Sequence, residues 1–412
     1  MNEIYAGIDL GTDSIKIVVC EKIDNVFSVL SAVSSKSDGI RNGQITDAKL
    51  AVMSVKRALK KASDSLGIKI TKVLALVPPT NCRMDIMLGC CDVIDYDQIT
   101  GEDVRAVLKD ALTGQIEEEW ELITAIPISF KVDDKENIKD PKGMPGKVLE
   151  AKVVVSTLPK EPLYRILEVL KLSGVETIDV CFSSTGDYYS VKSKKLDNVV
   201  GAIINIGEKS TNVSIFNRGI QIKNSLIPIG SSNVDSDLSY IFKINSSTAR
   251  QIKESFAVAM SSYADNNDVF DTTTVGGEAV AISQVGASKV VQARIEEILK
   301  VAKNEIKNLT KREIRYIIIT GGLSETLGFQ YLVEDIFGSE ARVSNLSTMG
   351  IRHNQYGAVY GGIQYFDDKL SLRGRRYNMI NKEQFQALIS AKQRVTTSDT
   401  IMNKMFGHFF DN

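Results

Sequence analysis

Gly7-Ile8-Asp9-Leu10-Gly11-Thr12-Asp13-Ser14-Ile15-Lys16 carries an apolar strand into a short polar turn and back out into a second strand. An aspartate at the end of a strand can hold a hydrated magnesium ion. Gly11 lets backbone approach a ligand closely, and Thr12 and Asp13 sit where a turn can offer amides, with a hydroxyl from Thr12, to phosphate oxygens. Lys16, on the return strand, can point its ammonium at a β- or γ-phosphate. Taken alone, the string reads equally well as an ordinary Asp/Gly hairpin.

The pattern around it recurs. Strands are expected over Ile4–Leu10, Ile15–Glu21 and Val26–Val33, and again over Val199–Ile206, Thr211–Phe216 and Gly219–Ile227. The second group carries Asn205-Ile206-Gly207-Glu208-Lys209-Ser210-Thr211-Asn212 in the place of the first turn, with Asn205, Gly207, Lys209, Ser210 and Thr211 as its candidate ligand-binding residues. A third element, Ile317 to Ser324, ends a strand in Gly321-Gly322, where a sugar and base can lie flat against the backbone, with Ser324 beside them. A duplicated α/β domain with one turn from each half facing a shared cleft is a natural nucleotide site. Three such elements in order are far more specific than any one.

The bulk properties set limits. The 412 residues are 43% hydrophobic, which allows a large core and about two or three domains. A net charge of −1 excludes a chain-wide nucleic-acid footprint, so no nucleic-acid partner is expected. The opening residues lack a signal-peptide pattern, and no apolar run is long enough for a transmembrane helix. Five cysteines, odd in number and mostly in apolar strand contexts, read as reduced thiols, and two histidines are too few for a His-based metal site.

Helices are expected over Ala48–Leu66, Glu102–Leu112, Lys160–Leu172, Ser247–Met260 and Ala287–Leu309. Between Arg83 and Val155 the character changes to one helix, several strands and a charged loop, which reads as a small α+β insert. From Asp367 onward eight Lys and Arg face five Asp and Glu, a balance that suits an anionic lipid surface. Ser398-Asp399-Thr400 supplies N-cap chemistry, and Ile401, Met402, Met405, Phe406, Phe409 and Phe410 then form one continuous helical face. Such a face could lie on a membrane, dock on the protein's own core or bind a partner protein.

The three turns resemble the phosphate-one, phosphate-two and adenosine motifs of the actin and sugar-kinase ATPase superfamily. Within it, their order is similar, across nearly the whole chain, to FtsA, the family of membrane-attached actin homologues in bacterial cell division. The resemblance implies a duplicated actin-like α/β fold: a first domain from 1–82 and 157–198, completed by 350–366; an inserted subdomain at 83–156; and a second domain at 199–349, with an outer subdomain at about 234–312. It implies a flexible linker at 367–398 and an amphipathic membrane-targeting helix at 399–412. It further implies ATP and Mg2+ as cofactors, with Asp9 at the metal, and self-association into filaments. The implied partners are the C-terminal peptide of FtsZ, the anionic inner face of the cytoplasmic membrane and later division proteins.

Ala249-Arg250-Gln251-Ile252-Lys253 resembles the family's Ala-Glu-x-x-Lys segment beside the adenine, which makes Arg250 and Lys253 site candidates. Tyr356 to Gly362 resembles the helix of the second crossing between domains. On the helix at Ser288–Leu309, Arg294 and Lys303 are the candidates for pairing with carboxylates of the FtsZ peptide. The sequence departs from the family at its second turn, where relatives usually read Asp-x-Gly-Gly-Gly-Thr-Thr-Asp. Asn205 and Asn212 replace the aspartates, Glu208-Lys209 replace two glycines, and Arg250 stands where relatives have Glu. Nucleotide binding with slow or absent hydrolysis is therefore the expectation. Three other readings stay open: a small-molecule kinase, for which Asp187 is the available carboxylate, an actin-like pilus-assembly scaffold, and a plasmid-segregating actin.

Overall fold

The structure, a computed structural model, describes residues 3–388 apart from 347, 349, 352 and 373. The expected amphipathic helix and its residues Ile401, Met402, Met405, Phe406, Phe409 and Phe410 lie outside the described residues.

The chain begins with β1 (Glu3–Leu10), β2 (Ser14–Ile23) and β3 (Val26–Lys36), a short hairpin of β4 (Ile40–Arg41) and β5 (Gln44–Ile45), helix α1 (Ala48–Leu66) and β6 (Lys72–Val77). α1 starts where the Asp47 carboxylate accepts the Leu50 amide and ends at Gly67, whose φ of 69° closes the helix in the left-handed region. Its buried face is Ala51, Val55, Ala58, Leu59, Ala62 and Leu66, at helical spacing. The insert follows: β7 (Arg83–Asp92), α2 (Gly101–Leu112), β8 (Trp120–Val132), β9 (Lys135–Ile138) and β10 (Val148–Pro159). Its strands form an antiparallel sheet in the order β7-β10-β8-β9. Alternate residues of β10, Leu149, Ala151, Val153 and Val155, meet Val107 and Ala111 of α2 in a separate core.

The chain returns through α3 (Lys160–Leu172), β11 (Glu176–Phe182) and α4 (Ser183–Val191). The second half comprises β12 (Val200–Ile206), β13 (Thr211–Asn217), β14 (Ile220–Ile227), α5 (Ser231–Phe242), α6 (Ser246–Ser255), β15 (Val269–Thr273), β16 (Ala279–Ser283), α7 (Gln284–Leu309), β17 (Ile317–Thr320), α8 (Phe329–Phe337) and β18 (Ala341–Val343), and α9 (Gly357–Leu372) follows it. α6 stops short of the expected Met260, because the chain leaves the helix as the Ala259 amide bonds the Leu327 carbonyl.

The two large sheets share one topology. Their orders are β11-β6-β1-β2-β3 and β18-β17-β12-β13-β14. In each, three antiparallel strands continue into two parallel ones, and helices make the crossovers. The internal echo in the sequence is thus a structural duplication.

Two helices join the halves. α4 crosses α9 so closely that a Cβ on Gly361 would stand 1.9 Å from the Gly186 carbonyl oxygen. Only glycine fits such a crossing. Two residues further along α4, Tyr188 stacks on Phe216 of the second half at 4.6 Å. Residues 367–388 of the expected linker are packed rather than free. Asp367 is buried in α9 with Lys22 at 2.7 Å, Met379 donates its amide to Ile4, and Met379 and Leu388 belong to the first core. The resemblance implied a linker from 367, but Asp367, Asp368 and Lys369 pair with Lys22, Lys192 and Asp179 of the domain this stretch covers.

Candidate functional site

The two halves face each other across a cleft of about 790 Å³. Each central hairpin brings its turn to the cleft in the same register. In the first, Leu10 pairs with Ile15 and Asp9 with Lys16; in the second, Ile206 pairs with Thr211 and Asn205 with Asn212. Four residues close each turn, so Gly11, Thr12, Asp13 and Ser14 match Gly207, Glu208, Lys209 and Ser210.

In the first turn Lys16 reaches back to Asp9, Nζ to Oδ2 3.2 Å, and both are largely shielded from solvent. Its ammonium passes 3.0 Å from where a Cβ on Gly11 would be, so the glycine leaves room for it. In the second turn the equivalent pair is neutral. Asn205 Nδ2 donates to Asp187 Oδ2 of α4 at 2.7 Å, and Asn212 donates to Ser214. Asp187 is 3% exposed, and its Oδ1 has no protein partner. Burial pushes its pKa up to about 7, against the lowering effect of the Asn205 amide, and the charge of Asp9 raises it further. Burial likewise raises Glu208.

The third element lies directly on the second turn. Gly321 has φ +98°, and a Cβ there would stand 2.3 Å from the Ile206 carbonyl and 2.9 Å from Asn205 Oδ1. Gly321 and Gly322 both line the cleft. From α6, Lys253 is held by Asp235 at 2.8 Å, while Arg250 reaches across the cleft to the first turn. Its Nη1 and Nη2 donate to the two Asp13 oxygens at 2.6 and 3.0 Å, and its Nε donates to Glu254. This fork holds the Asp13 carboxyl below its usual range and raises Arg250. The arginine that departs from the family's glutamate therefore has a partner in the opposite half.

Asp9, Gly11, Thr12, Asp13, Lys16, Asn205, Gly207, Lys209, Ser210, Arg250, Lys253, Gly321 and Gly322 all border the cleft. Thr211 and Ser324 do not. Thr211 takes the inward position that Ile15 takes in the first hairpin, fully buried, with its hydroxyl donating to Ile229 O. Ser324 turns back on its own loop, donating to Gly321 O and accepting from Asn354. Sequence reasoning found Asp187 only as a carboxylate in search of a role, and it missed the pairings to Asn205 and between Arg250 and Asp13. A lone Asp among small and aromatic residues in Ser183–Val191 is the one local signal of the first.

A second concavity, about 260 Å³, lies between α5 and α7. Arg294 borders it, with Nε and Nη2 on the Asp237 carboxylate at 2.6 and 2.9 Å and Nη1 on Glu297 at 2.5 Å. Tyr240 stands 86% exposed at its edge. Lys303 does not share this face. It bonds the Ile336 carbonyl at the end of α8 and lies over Phe337. Nine positions along a helix amount to about two and a half turns, which puts Lys303 on the opposite flank.

A model described as cell division protein FtsA matches residues 202–361, and one described as an SHS2 domain inserted in FtsA matches 89–157. The cell division protein FtsA of Bacillus subtilis is 27% identical over 378 residues, covering 91% of this chain and 86% of that one. Among solved structures, the PilM–PilN type IV pilus biogenesis complex superposes with a TM-score of 0.59 at 13% identity, covering 87% of this chain and 98% of that chain. MreB5 of Spiroplasma citri bound to ADP gives 0.55 at 12%, covering 90% and 98%. These structural likenesses show the fold alone, which is actin-like with a small α+β insert.

Proposed function

Because the chain belongs to the FtsA family of cell-division proteins, we propose that it binds ATP with Mg2+ in the cleft and polymerises with copies of itself. As a filament it would tether the FtsZ ring to the inner face of the cytoplasmic membrane and recruit later division proteins. The observation that carries this reading is the cleft itself: two turns in one register, from duplicated sheets, facing a glycine pair. The residues fit the cofactor. The volume lies within the range of small-molecule sites, and the MreB5 relative of the same fold holds ADP.

The magnesium ion would neutralise phosphate charge when bound. Asp9 would hold it through water, and Lys16 would turn from Asp9 to the phosphates. Backbone amides of both turns would cradle the phosphate oxygens, with Thr12, Asp13, Lys209 and Ser210 around them. Arg250, Lys253 and Gly321-Gly322 would border the base and sugar. The neutral pair Asn205 and Asn212 supports slow or absent hydrolysis.

For the FtsZ peptide, the α5–α7 groove is the candidate surface, with Arg294 as its anchor. Arg294 already holds Asp237 and Glu297, so a peptide carboxylate would bind by exchange. The basic balance after Asp367 and the apolar face at Ile401–Phe410 support lipid binding. Weak single helices would be multiplied by linkage in a filament.

Liposome co-sedimentation with and without ATP, comparing the full chain with one ending at Ser398, tests the whole reading. Pelleting of the full chain alone, increased by ATP, is expected. If neither chain pellets, the terminal helix docks on protein, and a scaffold of the PilM type becomes the better account.

A further inference from the structure

We propose that Arg250 is a clasp across the cleft: its bridge to Asp13 biases the two halves toward the closed arrangement before any ligand arrives. The inference goes beyond the nucleotide reading and does not depend on it, because the clasp is made wholly of this chain's own residues.

The halves are joined through α4 and α9, where Gly186 meets Gly361 and where Ser184 donates to Gln221 of β14 at 2.8 Å. α6 packs on α5 and α7 of the second half, so a contact from it to the first turn spans the cleft. Among the described residues, ion pairs join the halves at two places. His353 on Glu325 is one, and it is an ion pair only while the imidazole is protonated. Arg250 on Asp13 is the other, and both of its groups are charged throughout the neutral range.

Both ends of the clasp are fixed. Glu254, one turn further along α6, accepts from Arg250 Nε at 2.8 Å and holds the guanidinium in place. In the same helix the buried Lys253 is tied to Asp235 of α5. On the other side, the Asp13 carbonyl accepts the Ser37 amide at 2.9 Å, which anchors the turn just past the end of β3. The guanidinium meets both oxygens of Asp13, at 2.6 and 3.0 Å, so the bridge sets orientation as well as distance.

The sign of residue 250 matters because the cleft is acidic. Seven Asp and Glu line it, against four Lys and Arg. Glu208 of the second turn is raised by burial and then by the charge of Asp13, while Lys209 and Arg250 act against this. The first and second turns therefore repel each other through these two acids, and Arg250 answers both. A glutamate at this place, as relatives have, would add to the repulsion and favour opening.

The side chains of the pair are 45% and 33% exposed. A bridge so placed shifts the ratio of closed to open by up to about fivefold at low salt. It biases the cleft and does not lock it, so a ligand can still enter.

The test is energy transfer between dyes on the two halves of the full chain, first with no nucleotide present. The dyes sit on cysteines introduced at Lys60 of α1 and Lys289 of α7, both exposed, with Cys82, Cys90 and Cys91 changed to serine. The chain with Arg250 intact should show mostly the closed distance at low salt. It should move toward the open one near 1 M salt, where charges are screened beyond about 3 Å. Arg250→Glu should lower the closed-to-open ratio by about tenfold or more, and salt should now close the cleft by relieving repulsion. That reversal is a readout that a merely structural arginine would not give. The exchange Asp13→Arg/Arg250→Asp should recover the closed distance, and Asp13→Asn serves if Arg250→Glu does not fold. A folded Arg250→Glu chain that matches the parent at low salt overturns the inference, as does a parent chain that ignores salt. ATP enters last, and should close the Arg250→Glu chain more than the parent. Failure of the parent to bind ATP removes the nucleotide reading and leaves the clasp standing on the earlier measurements.

Discussion

The first and second turns have one backbone plan and different electrostatics. Each closes a hairpin of the same register with four residues. The first puts an ion pair, Asp9 and Lys16, at the mouth of the hairpin, and the second puts two asparagines there. At the third position of the turn, Asp13 faces Lys209 across the duplication. Strand pairing fixes where a turn stands, because register decides which residues point into the cleft. It does not fix which residue carries the charge, because a side chain from another element can reach the same space. Asp187 and Arg250 both arrive in this way, from α4 and α6.

The comparison collapses if the halves no longer face each other, so the joint should give the largest effect. Gly361→Ala sets a methyl against the Gly186 carbonyl, with no room for the backbone to yield between α4 and α9. A loss of about 3 kcal/mol or more is expected, at the high end for overpacking. Urea denaturation measures it, and an unchanged midpoint would mean that the crossing has slack.

Copying the first turn's carboxylate into the second by Asn205→Asp should produce the next largest change, visible as pH dependence in EDTA. Asp187, faced by Asp9, Lys16 and Asn205, has its folded pKa pushed up to about 7 by burial, from an ordinary aspartate value of about 4. The folded state therefore binds more protons between those values. Its stabilising share is complete below about 4, falls as pH rises, and is gone above about 7. A second carboxylate steepens this fall, by roughly 1–3 kcal/mol at pH 8. Asp187→Asn flattens it. Thermal melts at pH 5.5 and pH 8 read the difference, and parallel curves for all three chains would show that Asp187 does not titrate in the folded state.

The two lysines sharpen the comparison at the ligand. Lys16 is shielded and preorganised on Asp9, whereas Lys209 is half exposed and only loosely near Glu208, at 4.0 Å. Lys16→Ala should weaken ATP binding by about tenfold or more, and Lys209→Ala by less than about threefold. Equal losses would mean that the second turn contributes as much cationic charge as the first.

Most of the fold was legible because periodicity and turn chemistry act locally. α1 and α3 have the expected limits, and the echo of two three-strand units is the duplication itself. The turns were legible for the same reason. What sequence could not show is where a side chain spends its hydrogen bonds. Thr211 looked like a phosphate ligand and Ser324 like a neighbour of the sugar and base, yet their hydroxyls are used inside the fold. Lys303 looked like a neighbour of Arg294 by charge, yet half a turn of phase separates them. The Arg250–Asp13 contact joins residues 237 positions apart, beyond the reach of any local pattern.

That contact should also give the smallest effect on stability and the most specific one on kinetics. It is a bidentate ion pair across the cleft, but both side chains are partly exposed, so its worth is discounted to about 1 kcal/mol or less. Asp13 has a depressed pKa, so the stabilising contribution is present above the ordinary carboxylate range and is lost only as pH falls through the lowered value. Arg250→Ala should leave the melting curve nearly unchanged at pH 7. Asp13 and Arg250 both line the cleft and their pair spans it; if that bridge gates a bound nucleotide, release of a fluorescent ATP analogue in a stopped-flow chase should quicken by about three- to tenfold in the variant. Added salt should quicken release from the wild-type chain toward the variant's rate, because a partly exposed pair is screened. The exchange Asp13→Arg/Arg250→Asp restores the pairing with its polarity reversed. Recovery of slow release in that double variant would mean that the bridge itself gates the cleft. Continued fast release would mean that the gate depends on which half carries the anion, the feature that most distinguishes the first turn from the second.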